Sequence, residues 1–560
     1  MLAVVIIWLY IILTTYSIGR GLCTLAGKCI GYRTDSLKAV LLCGLGGVIW
    51  YAQSFSIVYR VSLLSNILLI LLCVFCIWIS PKEVLADINR SLFFIRTKRV
   101  YVIVACVLFL LMAYGTSHGI IHYDTGLYHA QAIRWIEEYG IIPGLGNLHT
   151  RLAYNSAAFP LTALYSFAFL GIRSFHVTAG YCAFLLALEC MDISAIWTRK
   201  QFTAAFFARA MAIYYLLMIF DEMISPASDY YMVCLAFILV IRWMDHIEAQ
   251  DENASAYAML AIFAGVILTI KLSGVLLLLI AILPGAMYIR QKNIKSIWLC
   301  VLAESVVVLP YLIRNIILSG YLLYPSTMFN VFRFDWKIPA DIAVADYKEI
   351  QVYGRGYTEI SGYERPITDW FGAWFSAQSF IDRMFILAAI GAVILFVIKC
   401  IYYGFIVSKG LKKRTSLNHL VMDGILCLCF MFWLFTSPLM RYGCLYVYLT
   451  AGVIWGRCVI LITKNKYFKY VLYCGLSVVA LYKVVMFGRE AVSAYRPDTL
   501  LIQQDYDNFD VDTYEIDGIM IYAPQEGDRV GYSAFPSSPW EIDDIQLRGN
   551  SLLSGFKVKQ

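Results

Sequence analysis

The chain has 560 residues, of which 61% are hydrophobic and only 15% are charged. A soluble protein carries about a quarter charged residues, so the composition excludes a soluble enzyme and predicts a polytopic membrane protein. The formal net charge of +7 does not indicate nucleic-acid binding, because the lysines and arginines fall in short loops between apolar segments.

The apolar segments predict an all-α polytopic membrane protein with about fourteen transmembrane helices, since a span needs about 20 apolar residues. The first segment is interpreted as a retained span, because residues 1–19 lack a basic start and a small-residue cleavage site. The predicted spans are residues 1–19, 39–58, 62–80, 100–118, 176–197, 203–220, 226–244, 255–270, 273–290, 296–317, 384–408, 419–437, 442–461 and 467–487.

The basic loops indicate the orientation, because lysine and arginine are enriched on the cytoplasmic side of membrane proteins. We therefore expect a multi-pass protein of a bacterial inner (plasma) membrane with both termini extracytoplasmic. The acidic loop DHIEAQDEN after the seventh span fits this orientation poorly. The basic residues follow the first span (Arg20, Lys28, Arg33, Lys38), the third (Lys82, Arg90, Arg96, Lys98, Arg99), the fifth (Arg199, Lys200), the ninth (Arg290, Lys292, Lys295), the eleventh (Lys409, Lys412, Lys413, Arg414) and the thirteenth (Lys464, Lys466, Lys469).

Three regions are expected along the chain. Residues 1–99 form N-terminal transmembrane helices, and residues 100–487 form a transmembrane core with outer loops 119–175 and 318–382. Residues 488–560 form a small extracytoplasmic cap of α/β or irregular structure, in which GIMIYAP resembles a strand. The short apolar segment 157–171 is interpreted as a re-entrant or interfacial helix, because counting it as a span would reverse every later loop.

The polar stretch HYDTGLYHAQAIRWIEEYG, residues 122–140, follows the fourth span. Helical periodicity places Tyr128 and Trp135 on one face and Gln131, Arg134 and Glu137 on the other. This pattern predicts an amphipathic helix in the membrane interface. Asp124 precedes the helix at a position where aspartate commonly caps a helix, so the pattern alone leaves a capping role and a chemical role both open.

Further polar motifs follow in a defined order: SPASDYY at 225–231, TIKLSG at 269–274, PYLIRNIILSGYLLYP at 310–325 and FTSPLMRYG at 435–443. Together with Asp124 and the Pro-led helix after it, this order resembles the GT-C superfamily of glycosyltransferases over residues 100–460. Those multispan enzymes take sugars from polyprenyl-phosphate carriers. The C-terminal segment and HYDTGLYHAQAIRWI also resemble an uncharacterised bacterial membrane-protein family, which implies no activity.

The GT-C resemblance implies a polyprenyl-phosphate-linked sugar as donor, a glycan or lipid as acceptor, and Asp124 as the general base for the acceptor hydroxyl. Cations are needed to stabilise the negative charge of the departing phosphate. Each candidate cation could instead extend to the lipid headgroups or pair with a nearby acid. The candidate phosphate and substrate contacts are Arg441, Arg314, Lys271, Tyr128, His129, Asn155, Arg151 and Asp229, with His122 beside Asp124.

The cofactor expectation is limited to a possible divalent cation, for which Asp221, Glu222 and Asp229 are weak candidates because outer acidic clusters are usually solvated. The aromatic-rich loop 318–382 suits either sugar stacking or a lid at the membrane interface. An O-antigen-type polysaccharide polymerase, a lipid-linked glycan transporter or flippase, and a non-catalytic envelope assembly protein remain alternatives. The sequence shows no convincing internal repeat of the kind many transporters have.

Overall fold

The computed structural model describes residues 1–196, 201–408, 414–463, 465–493 and 495–559. Within these ranges the chain is mostly helical and forms a multi-pass membrane protein with two small antiparallel sheets. Several predicted loop cations lie outside the described residues, namely Arg199, Lys200, Lys409, Lys412, Lys413 and Lys464.

The α-helices of the described residues lie between Leu2 and Ser493. In the first half they are α1 (Leu2–Ile30), α2 (Leu37–Val58), α3 (Leu63–Ile79), α4 (Pro81–Thr97), α5 (Arg99–Ser117), α6 (Ala130–Glu138), α7 (Leu145–Leu148), α8 (Ala158–Leu164), α9 (Thr178–Cys190), α10 (Ala204–Met218) and α11 (Ser228–Glu248). In the second half they are α12 (Ala254–Ile270), α13 (Ile282–Arg290), α14 (Ile294–Ser319), α15 (Ala340–Gly354), α16 (Ile367–Ala377), α17 (Phe380–Ser408), α18 (Arg414–Thr436), α19 (Met440–Ile462) and α20 (Lys466–Ser493).

The described helices confirm the all-α polytopic class. Nine of them, together with the continuous helical segment Leu272–Arg290 that ends in α13, make ten spans that are long and apolar enough to cross a membrane, or eleven if the bent pair α3 and α4 counts as one span. The predicted spans at 176–197, 203–220 and 255–270 form helices of only 13, 15 and 17 residues. Helices of 13 and 15 residues are shorter than the hydrocarbon layer requires and one of 17 is at the lower limit, so the count of fourteen stays a prediction.

Helix α4 replaces a predicted loop. It begins at Pro81 and lies at 89° to α3, and proline suits this first helical position because its missing N–H would have no partner within the helix there. Arg20 also lies in a helix, since α1 continues to Ile30. Its buried guanidinium forms an ion pair with Asp87 of α4 (Nη2–Oδ2 2.6 Å), which fixes α4 against α1.

Helices α1 and α2 pack closely at the N-terminal end of the chain. A Cβ atom on Gly44 would lie only 1.7 Å from the carbonyl oxygen of Thr15. Glycine therefore lets the two backbones meet, as small residues do between membrane helices.

Residues 495–559 form a compact segment, here named the cap. Strands β1 (Val511–Ile516) and β2 (Ile519–Pro524) form a hairpin, and β3 (Ile545–Leu547) pairs with β4 (Phe556–Val558). Asp517 and Gly518, which connect β1 and β2, both have positive φ, the geometry of a tight two-residue hairpin turn. The predicted strand over GIMIYAP is confirmed, while α20 continues six residues beyond the predicted start of the cap.

Helix α6 forms within the predicted stretch 122–140 and is covered by the cap, while its position at the membrane interface stays a prediction. Gln131 donates from Nε2 to the carbonyl oxygens of Gly531 and Ala534 in the cap, at 2.8 and 2.7 Å. Trp135 packs against Phe535 with ring centroids 4.7 Å apart. The cap therefore contacts Gln131 on the polar face of α6 and Trp135 on its aromatic face.

The short segment 157–171 contains α8 and a 3₁₀ turn, Ala168–Leu170. All seven residues of α8 are buried by other parts of the chain. Ser156 donates to the carbonyl oxygen of Ile270 (2.7 Å), which ties the segment to the end of α12. A short helix that is covered by protein agrees with the re-entrant interpretation, because its end groups need partners inside the molecule.

Candidate functional site

A cavity of about 250 Å³ lies at the end of the bundle that carries the cap. It is formed where the loop before α6 meets the first turns of α11 and α19 and the break between α12 and a 3₁₀ segment, Leu272–Ala281. The predicted site residues that line it are Asp124, Tyr128, Arg151, Asn155, Asp229, Lys271 and Arg441. The structure therefore brings together side chains from motifs spread over more than 300 residues.

Arg441 is the centre of an ion-pair cluster in this cavity. Its Nη2 atom lies 2.9 Å from Oδ2 of Asp124, and its Nε atom lies 3.5 Å from Oδ2 of Asp229. Lys271 contacts the other carboxylate oxygen of Asp229 and lies over the ring of Tyr442, 4.2 Å from its centroid. Two carboxylates and two cations thus balance each other in a largely buried space.

The chain positions these four groups at breaks in helices. Asp229 and Arg441 are the second residues of α11 and α19, so both helix N-termini face the cluster. Lys271 has an extended backbone (φ −151°, ψ 127°) where α12 ends. Helix N-termini carry a partial positive charge, which adds to the attraction of this end of the bundle for an anion.

Asp124 does not cap the following helix, because its side chain makes no capping hydrogen bond. The next five residues, Thr125–His129, form a π-helical turn that leads into α6. Single π-helical turns are rare in proteins, and those that occur are often found at functional sites. Burial opposes ionisation of Asp124 most strongly, but Arg441 and the other positively charged groups nearby, among them Arg151, together outweigh it, and the pKa of Asp124 lies below its ordinary value.

Burial disfavours the charged form of both histidines near Asp124. Arg441 Nη1 contacts Nε2 of His122, and the backbone N–H of Asp124 donates to Nδ1 of the same ring (3.1 Å). Burial and the charge of Arg441 lower the pKa of His122, in agreement with this contact. Burial lowers the pKa of His129 to about 3. His129 lies behind the cavity wall, packed against Tyr128 and Phe159, and does not line the cavity.

A hydrogen-bonded group that the sequence did not predict involves the long loop 318–382. The hydroxyls of Tyr154 and Tyr324, both in the cavity wall, donate to the two carboxylate oxygens of Asp346 at 2.5 and 2.8 Å. Arg151 forms an ion pair with Glu349 (Nη2–Oε1 3.2 Å). Asp346 and Glu349 are three residues apart on α15, a spacing that places them on one helix face and could have indicated a shared contact.

Aromatic residues of the same loop support the cavity. Trp374 of α16 is buried, donates to the carbonyl oxygen of Pro438 (2.8 Å) and packs against Trp433, which lines the cavity. At Trp374 the loop therefore supports the wall of the cavity instead of presenting an exposed ring.

Arg314 does not reach the cavity. Its buried side chain donates from Nε to Oδ1 of Asn155 (3.1 Å) and contacts the hydroxyl of Ser56. Asn155 in turn donates to the carbonyl oxygen of Tyr311 (2.9 Å). The structure therefore gives Arg314 the geometry of a residue that orients Asn155, and not that of a direct phosphate contact.

The three weak metal candidates do not converge. Asp221 is exposed, Glu222 accepts a hydrogen bond from Tyr230, and Asp229 is held by Lys271 and Arg441. Across the described ranges, no group of three or more His, Cys, Asp or Glu side chains could hold a metal ion. These residues therefore do not fit a divalent-cation site, and no chemical step is assigned to one.

Comparison with known proteins gives a family match. The family described as Domain of unknown function (DUF8201) matches residues 1–448, a range that contains Asp124, Asp229, Lys271 and Arg441. No curated protein and no solved structure matches the chain.

Proposed function

We propose that this chain, which belongs to the DUF8201 family, is an integral-membrane glycosyltransferase. It transfers a sugar from a polyprenyl-phosphate donor to an envelope glycan or lipid acceptor at the extracytoplasmic face of a bacterial plasma membrane. The observation that carries the proposal is the meeting of Asp124, Arg441 and Lys271 in one cavity. The resemblance to GT-C enzymes supplies the reaction type, and the proposed topology has about fourteen spans with both termini outside.

The cations of the cluster bind the donor phosphate in this scheme. Arg441 offers a planar set of N–H donors that matches phosphate oxygens, and Lys271 adds a second charge. As the bond between the anomeric carbon and the phosphate oxygen breaks, its electron pair stays on the phosphate. Fixed cations in a partly dehydrated cavity stabilise that developing charge.

Asp124 takes the proton from the acceptor hydroxyl as the new bond to the anomeric carbon forms. In the resting structure one of its oxygens is bound by Arg441, which makes it a weak base. A donor phosphate competes for the same guanidinium. Donor binding therefore frees Asp124 and raises its basicity, so the base becomes active only when a donor is present.

The position of the cavity favours a transferase over a transporter. Its charged residues lie at helix ends and in the break after α12. A transporter would place its binding site near the bilayer midplane between repeated halves, and the charged cluster here lies at one end of the bundle.

The test is transfer from a panel of radiolabelled polyprenyl-phosphate sugars in membranes that contain the full-length protein. We expect the wild type to release polyprenyl phosphate and to label an endogenous acceptor. Asp124→Asn should lower the rate by about 10²–10⁴-fold, the usual contribution of a general base. Asp221→Asn is the matched control, because it removes an exposed carboxylate that does not line the cavity. Full activity in Asp124→Asn, or no turnover of any donor by the wild type, would reject the proposal.

A further inference from the structure

A second large cavity, separate from the one at the charged cluster, is a groove between α5, α9, α10 and α20. Its volume is about 980 Å³, and it shares no lining residue with the first cavity. Most of the side chains along it are apolar, among them Val104, Leu108, Leu216, Val484 and Phe487. It is here named the α5–α20 groove.

One end of this groove is basic. Arg96, Lys98 and Arg99 line it at the junction where α4 ends and α5 begins. All three side chains are exposed, and no acid of the described residues forms an ion pair with any of them. They are here named the basic corner. Three positive charges without counter-charges therefore stand at the mouth of an apolar groove.

The dimensions of the groove exclude a small polar ligand. Its wall on α5 extends from Arg99 to Met112, which corresponds to about 20 Å at 1.5 Å per residue. That length is about two thirds of the hydrocarbon thickness of a bilayer, about 30 Å. An apolar channel of this length, with cations at one end only, matches an amphiphile that has long chains and one anionic group.

We propose that the α5–α20 groove is a specific site for an anionic phospholipid. The acyl chains occupy the apolar groove, and the headgroup phosphate is bound by the basic corner. Juxtamembrane lysine and arginine side chains attract anionic lipids, and the long apolar groove behind them holds one lipid in a defined position.

A second apolar groove in the same protein provides an internal contrast. It has a volume of about 520 Å³ and lies between α1, α2, α12 and α14. Arg242 in its wall forms an ion pair with Glu189, so its charge is already compensated. This groove should therefore accept lipid chains without a preference for an anionic headgroup.

A lipid in the α5–α20 groove also fills a gap beside α20. That helix contacts the bundle through aromatic pairs such as Phe487 with Phe220, whose centroids are 4.6 Å apart. None of the residues in its apolar window is buried inside the protein. The lipid therefore forms part of the contact between α20 and the bundle, and α20 leads directly into the cap.

The experiment is native mass spectrometry of the purified full-length protein in detergent with equimolar phosphatidylglycerol and phosphatidylcholine. We expect the wild type to retain one phosphatidylglycerol in preference to phosphatidylcholine. The triple variant Arg96→Gln/Lys98→Gln/Arg99→Gln should lower this preference by about tenfold or more, because each cation contributes to anionic lipid binding. The matched control Arg290→Gln/Lys292→Gln/Lys295→Gln removes three exposed cations that do not line the groove, and should keep the preference.

A second variant tests the groove without changing charge. Val104→Trp places a large ring inside it and should abolish retention of the lipid, while the protein stays monodisperse. Equal loss in both triple variants would show a general charge effect and overturn the proposal. Retention of phosphatidylglycerol by Val104→Trp, or its displacement by excess inorganic phosphate, would also overturn it.

Discussion

The ion pair between Arg441 and Asp124 leads to a stability prediction that requires no substrate. The variant Arg441→Gln leaves the Asp124 carboxylate without its guanidinium partner, whereas Asp229 keeps Lys271. Breaking a fully buried pair costs about 3–5 kcal/mol. Here the two side chains are 26% and 15% exposed, so water offsets part of the loss. We expect a decrease of about 2 kcal/mol in the free energy of unfolding near neutral pH.

This cost should depend on pH in a defined direction. In the wild type the pKa of Asp124 is lowered from its ordinary 3.8. The ion pair therefore stabilises the fold fully above about pH 3.8, and this stabilisation is lost as the pH falls through the lowered pKa of Asp124. In the variant the effect of burial is no longer opposed by Arg441, and the pKa of Asp124 rises. The unpaired carboxylate then takes up a proton on mild acidification, and the difference between the variant and the wild type becomes smaller.

The assay is unfolding in detergent micelles at about pH 7 and at about pH 4.5. The lower pH is close to the pKa of an unperturbed aspartate, about 3.9, so a carboxylate with a raised pKa is largely protonated there. The double variant Asp124→Asn/Arg441→Gln should recover part of the stability at neutral pH, because it removes the unpaired charge. Arg290→Gln, an exposed cation without an acid partner among the described residues, is the control and should change little. An equal loss at both pH values, with no recovery in the double variant, would refute the reasoning.

Three other predictions concern the cap and the long loop. Gly126→Val should loosen the cap and speed its proteolysis, because a Cβ atom there would lie 2.8 Å from the ring of Phe509, and such overpacking costs about 1–3 kcal/mol. Tyr324→Phe should lower the thermal midpoint through a loss of about 1–3 kcal/mol, because one oxygen of the buried Asp346 loses its donor. Burial raises the pKa of Glu137 beneath the cap, so the cap should become more resistant to protease as the pH falls from about 8 to about 5, and Glu137→Gln should remove that dependence.

The sequence predicted the members of the charged cluster better than their arrangement. Asp124, Asp229, Lys271 and Arg441 each stand beside an apolar run, where a charge is expensive and therefore conspicuous. Their mutual contacts join positions up to 317 residues apart, and no local pattern encodes such a distance. Arg314 has the same sequence signature, yet it lies behind the cavity, because the direction of a side chain depends on how the helices pack.

The partners of α6 were not predictable for a similar reason. Its amphipathic periodicity is real, but periodicity only shows that one face needs a polar environment. Gln131 finds that environment in backbone carbonyls of the cap, about 400 residues later in the chain. The same limit applies to Arg20, which was expected in a loop. Because Asp87 compensates its charge, it can lie in a continuing helix.

The covering of α6 by the cap has a consequence for biosynthesis. Gln131 is separated by 400 residues from its acceptor Gly531, so at about 5–20 residues per second its partner is synthesised about 20–80 s later. During that interval α6 has left the ribosome, but its buried polar groups lack their final partners. The wall behind Asp124 is therefore assembled last, and ribosome-bound chains that stop before the cap should carry an exposed, protease-sensitive α6.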